Sequence, residues 1–179
     1  MSTVPTPQQL EDLESALRRQ DEQRRKARLH RIVWLSDHEQ LPSALVGRTE
    51  TMHLLREARD VFIDGYFAAT LLLAVSVINH CLVDELQLRG EIKRDPGFEA
   101  VLKKCEEKTV LPSDWFEPLR RLATHRHPFV HFKDPEHEHA LGARVMLEGS
   151  APADLMQADA ALAIEFMYRI FRITLREVA

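Results

Sequence analysis

Residues 65–86 read GYFAATLLLAVSVINHCLVDEL, and the run decides the fold class. From Ala68 to Val83 almost every residue is apolar, with none of the alternation that marks a half-buried strand. The run is shorter than a membrane span requires and carries Asn79 and His80 in its interior. Asp64 and Asp84 close it on both sides. A buried core helix is the expectation, from Tyr66 to about Arg89, with Gly90 as its C-terminal stop.

Working outward, helical spacing continues in both directions. Thr49 to Ile63 predicts a first core helix with Leu54, Leu55, Ala58, Val61 and Phe62 facing inward, interrupted by Asp64-Gly65. Asp95-Pro96 opens a helix over Phe98 to Lys108, and Ser113 is expected to cap another through Trp115, Phe116, Leu119 and Leu122. After the motif HRHPFVHF (residues 125–132), DPEHEHALGARVMLEGS reads as a polar loop. A wide apolar share from Ala153 to Val178 then predicts a central last helix. Short connections between long amphipathic helices imply an all-α fold, an antiparallel helical bundle.

The N-terminal part differs in character. From Pro7 to about Arg31 a charged helix is expected, with Leu10, Leu13 and Leu17 on one stripe and no comparable apolar face beyond Leu17. Two readings stand side by side: a solvated arm that a partner orders, and a basic arm that steers a polyanion through Arg18, Arg19, Arg24, Arg25, Lys26, Arg28 and Arg31. WLSDHEQLPSALVG, punctuated by Pro42 and Gly47, reads as a connector. The expected organisation is an arm and connector over 1–47 and a bundle domain over 48–179.

Several function classes fall away. A net charge of -4 leaves no global basic footprint, so any contact with RNA must come from a local patch. Two cysteines, Cys81 and Cys105, are too few for a disulfide scaffold or a cysteine-based zinc ribbon, and both are expected as buried free thiols. The six glycines are scattered, which removes phosphate-binding glycine loops, and Ser76 sits inside the apolar helix rather than on a nucleophile elbow. The start MSTVPTPQQLEDLE has no basic and apolar leader pattern, so a cytoplasmic, membrane-free protein is expected.

Five of the nine histidines lie between His125 and His139. His127 and His131 have a spacing that can chelate on one helical face, with Glu136 and Glu138 as further oxygen donors. Against a metal site, Pro128 is expected at the first position of a helix, which would put His127 at the cap. His137 and His139 lie in an acidic stretch with no cysteine nearby. No metal or other cofactor is expected.

The other reading pairs Arg126 with His131. If Pro128 opened a helix, both side chains would stand near its N-terminus, where free N–H groups suit a phosphate. Arginine binds phosphate bidentately, and histidine exchanges a proton near neutrality. Spacing alone does not single this pair out, because Arg25/His30, Arg48/His53 and Arg120/His125 repeat it.

The context does single it out. The run GYFAATLLLAVSVINHCLVDEL, the amphipathic stretch LRRLATHRHPFVHF and the long last helix together resemble the HEPN superfamily over about Thr49 to Val178. That family is a small all-α bundle carrying an arginine, often a polar residue next, and a histidine after four to six intervening positions. Arg126, His127 and His131 match in order. For active members the resemblance implies a metal-independent endoribonuclease with RNA as substrate, acting as a homodimer whose two motifs meet across a two-fold axis. Arg126 would then stabilise the scissile phosphate, His131 would be the general acid/base and His127 would orient RNA or the arginine. Asn79 and His125 are expected as substrate-binding or supporting residues. Relatives often carry an acid facing the motif arginine, in a context that corresponds here to Ser76-Val77-Ile78-Asn79, and Asn79 is neutral. Whether the chain is an enzyme therefore stays open. The resemblance allows a toxin or defence role with a protein partner such as an antitoxin. It equally allows a non-catalytic module that binds nucleotide, nucleic acid or protein.

Overall fold

A computed structural model describes residues 6–39, 48–134 and 136–174. Among them the regular structure is entirely helical. The order is α1 (Pro7–Ser36), α2 (Thr49–Asp64), α3 (Phe67–Leu88), α4 (Phe98–Glu107), a 3-10 turn (Ser113–Trp115), α5 (Phe116–Val130), α6 (Leu141–Glu148) and α7 (Pro152–Thr174).

The apolar run forms α3, the axis of the bundle. Leu71, Ala74, Val75, Val77, Ile78, Leu82 and Leu86 are fully buried on it. It packs most extensively against α7 and α2, and α4 and α5 complete the enclosure. By length and composition α3 is apolar enough to cross a membrane, but half of its most apolar window is buried by the surrounding helices. Cys81 and Cys105 are free and buried, and burial pushes both thiols up to about 12.

The break before α3 is a helix stop of defined geometry. Gly65 adopts φ 84°, donates to the Phe62 carbonyl at 3.0 Å, and Tyr66 donates to Val61 at 2.9 Å. The 5→2 and 6→1 bonds satisfy carbonyls that the end of α2 would otherwise leave open. The same pair of bonds follows α3, from Gly90 to Gln87 and Glu91 to Leu86.

Helix α1 starts at a reciprocal capping box, Thr6 with Gln9. It runs five residues further than the spacing predicted, through Trp34 to Ser36, which had read as connector. Residues 6–26 are exposed throughout, and docking is confined to the foot of the helix. There Leu35 is buried, Arg31 Nε donates to the Ile63 carbonyl at 2.8 Å, and Arg28 pairs with Asp64 at 3.0 Å. Trp34 stacks on His38 and leans on Phe62. Just beyond, Glu39 accepts from Tyr168 at 2.9 Å and from Arg59. The remainder of the expected connector, residues 40–47 with Pro42 and Gly47, lies outside the described residues, as do Leu175 and Val178.

Three expectations are corrected. Ser113 does not cap α5. It begins the 3-10 turn, and no side chain caps the helix that follows. The stretch read as a polar loop contains α6, whose single buried residue is Arg144. Pro128 does not open a helix but lies in the last turn of α5, which continues to Val130. The ring removes the N–H that the Thr124 carbonyl would have met. So near the end of the helix that loss interrupts little.

Candidate functional site

The apolar positions Phe116, Leu119, Leu122 and Ala123 seat α5 on the core. The three residues that follow Thr124 then point in successive directions about 100° apart. His125 faces α7, Arg126 faces α4, and His127 faces outward.

Arg126 is half-buried, with its guanidinium carbon 5.6 Å from the centre of the Phe98 ring. Its Nε is sealed from solvent and has no hydrogen-bond partner among the described residues. Burial lowers its pKa, with Glu99 acting in the opposite sense. His127 is exposed and meets the ring of His131 edge-on, 4.7 Å between centroids. Loss of hydration, then the charges of Lys133, His131 and Arg126, hold His127 below the usual imidazole range. His131 is the C-cap, with extended backbone, and its N–H donates to the His127 carbonyl at 2.9 Å.

The motif therefore occupies a helix C-terminus, and the expected anion-binding N-terminus is absent from it. A C-terminus presents carbonyls and partial negative charge, which favours cationic side chains. Any phosphate held here depends on the arginine and the imidazoles, without backbone N–H groups.

Asn79 does not hydrogen-bond Arg126. Its Nδ2 donates to Asp95 Oδ2 at 2.8 Å, and Asp95 Oδ1 accepts the Gly97 N–H at 2.7 Å. The Asn79 Oδ1 is a second sealed atom with no partner among the described residues. Both unsatisfied atoms thus belong to side chains packed on the Asp95–Phe98 segment, one through Asp95 and the other through Phe98. Sequence reading treated Asp95 as the opener of α4 and missed it as a partner for Asn79. The Asp-Pro-Gly order signalled a turn, and nothing in it indicated what the free carboxylate oxygen would meet.

His125 belongs to a separate cluster. Its Nδ1 lies 2.8 Å from Asp159 Oδ1, and Asp159 also receives Arg144 at 2.6 and 3.3 Å. Neither Asp159 nor Arg144 was expected at a site. His137 and His139 are neighbours in the loop before α6, with ring centroids 5.3 Å apart. Among the described residues no three His, Cys, Asp or Glu side chains gather in a way that would hold a metal ion.

The structure thus joins His127 with His131 beside Arg126, turns Asn79 to Asp95, and turns His125 to Asp159. No family model matches the chain, and neither a curated protein nor a solved structure matches it.

Proposed function

We propose that the chain is a HEPN-type, cytoplasmic endoribonuclease that acts as a homodimer, with the Arg126 end of α5 from two copies forming one RNA-cleaving site. The observation that carries the reading is the His127–His131 ring contact beside Arg126, on a helix end ringed by uncovered apolar side chains. Phe132 is 98% exposed and Val130 51% exposed. A phenylalanine left wholly in water next to a polar cluster is the kind of surface that a partner covers.

In this reading Arg126 binds the scissile phosphate and stabilises the charge that develops on it. His131 takes the proton from the ribose 2′-hydroxyl as its oxygen bonds to phosphorus. The bond to the 5′-oxygen breaks, and a histidine of the second copy protonates that oxygen, leaving a cyclic phosphate. His127, held toward the neutral form, orients the substrate. A toxin or defence role, with an antitoxin as protein partner, is compatible with such an activity.

Two observations favour a non-catalytic HEPN-like module that binds nucleotide, nucleic acid or protein. Arg126 is packed on Phe98, and the expected supporting residue Asn79 is directed to Asp95. Incubation of the protein with mixed RNAs in EDTA, beside Arg126→Ala and His131→Ala, separates the two. Cleavage to cyclic phosphate ends that disappears in both variants is the expected result. Intact RNA with normal dimer formation would assign the chain to the binding module, and cleavage surviving both substitutions would place the activity elsewhere.

A further inference from the structure

A polar cleft of about 330 Å³ opens where α5, α6 and α7 meet, lined by Arg121, His125, Arg144, Glu148 and Asp159 with Leu155 and Ala158 as its apolar wall. Its geometry begins with a buried carboxylate. Asp159, 5% exposed, lies 2.8 Å from His125 Nδ1, so the carboxylate accepts an N–H from that nitrogen, and the neutral form of the ring carries its lone pair on Nε2. His125 Nε2 has no partner among the described residues, and it is not one of the polar atoms sealed from solvent. It therefore opens into the cleft its ring lines.

The charges of the wall are not interchangeable. Both carboxylates are turned on Arg144, Asp159 at 2.6 Å and Glu148 at 3.2 Å. Arg121 has no carboxylate partner among the described residues. It stands one turn before His125 on α5, so the two side chains share a face and reach the cleft together. A fixed imidazole lone pair beside an open guanidinium asks for a ligand with one acidic proton and several charged oxygens. A phosphate monoester at neutral pH supplies both, since its second ionisation lies near neutrality. Sulfate and carboxylates supply the oxygens without the proton.

We propose that this cleft is a binding site for a phosphate monoester group, in which Nε2 of His125 accepts the P–OH proton and Arg121 grips the remaining oxygens. Asp159 and Arg144 are positioning residues, which fix the imidazole and keep its carboxylate partner neutralised. The site is separate from the Arg126 end of α5 and holds whether or not RNA is cleaved there.

The test is an imidazole-resolved NMR titration of the full chain at pH 7 with inorganic phosphate, and with sulfate as the proton-free control. Saturable movement of the His125 resonances is expected, with sulfate weaker. Arg121→Gln, at an exposed position, should fold normally and bind about tenfold more weakly, the loss of one charge-assisted contact. His125→Gln, followed by calorimetry because the reporting imidazole is gone, should abolish binding at this cleft. A short RNA with a 5′-phosphate, compared with its 5′-hydroxyl form, tells a nucleic acid end from free phosphate as the source. Absence of a saturable His125 response, sulfate binding as tightly as phosphate, or unchanged affinity in Arg121→Gln would each overturn the assignment. A phosphate response confined to the His127 and His131 resonances would transfer the phosphate to the other site and equally overturn it.

Discussion

At the scale of single residues, Asp159 carries the most consequence. Burial alone would raise its pKa, but hydrogen bonds from His125 and Arg144 outweigh that and hold it below the usual carboxylate range. Asp159→Ala would leave the Arg144 charge, 6% exposed, with the exposed Glu148 as its remaining partner among the described residues. Breaking a buried pair in this way costs roughly 3–5 kcal/mol. Urea unfolding at pH 7 is expected to show a loss on that scale, and a change within experimental scatter would refute the role. The sign with pH follows from the depressed value. The contribution of Asp159 is fully present above its unfolded pKa, about 3.9, and is lost as pH falls through the lower folded value. Wild type and variant should therefore converge in acid. None of this was legible in the sequence. Arg144 stood in a stretch that read as a polar loop, and Asp159, one of several charged residues on α7, does not announce its partner.

At the scale of elements, legibility followed the source of each helix's stability. Helices α2, α3 and α4 bury apolar stripes, and their spacing placed them within a residue or two, with Gly65 and Gly90 marking the stops. Helix α6 is only eight residues long, buries Arg144 and leaves Met146 and Leu147 each 85% exposed, so it offers the core no long apolar stripe like those of α2, α3 and α4. Pro128 misled for a related reason. Proline is at home in a first turn, but a last turn also tolerates it, because only the upstream Thr124 carbonyl loses its donor and little helix remains to be interrupted. The helix end that presents Arg126, His127 and His131 was therefore inverted. Helix α1 divides sharply along its length. Leu35→Ala at its buried foot should cost about 2–5 kcal/mol, while Leu13→Ala, 56% exposed, should stay within about 0.5 kcal/mol. Thermal unfolding of the two variants checks the contrast, and a large effect at Leu13 would mean that the outer arm is covered in the native protein.

At the scale of the whole molecule, the all-helical class was readable because one long apolar run demanded several amphipathic neighbours. Assembly was not readable, since a surface that is wet in one copy and dry in two has the same sequence in both. If the Arg126 ends of two copies meet as proposed, Phe132 lies at their junction. Phe132→Glu would then place like charges against each other across a two-fold axis. Sedimentation should show a dimer for wild type and a monomer for this variant, with the helical signal unchanged. A dimer that survives the substitution would place the contact on another face.

The foot of α1 has a mechanical consequence. From Leu10 to Arg31 the helix covers about 32 Å at 1.5 Å per residue, and its outer part, residues 10–26, is exposed among the described residues. Arg28, Arg31, Trp34 and Leu35 thus act as the fulcrum of a lever, and a small rotation at Asp64 or Ile63 becomes a displacement of many ångströms at the leucine stripe. Where Leu10, Leu13 and Leu17 lie in space is decided by residues that never touch them. Substitutions at the fulcrum can therefore redirect the arm's reach while leaving its own surface chemistry intact.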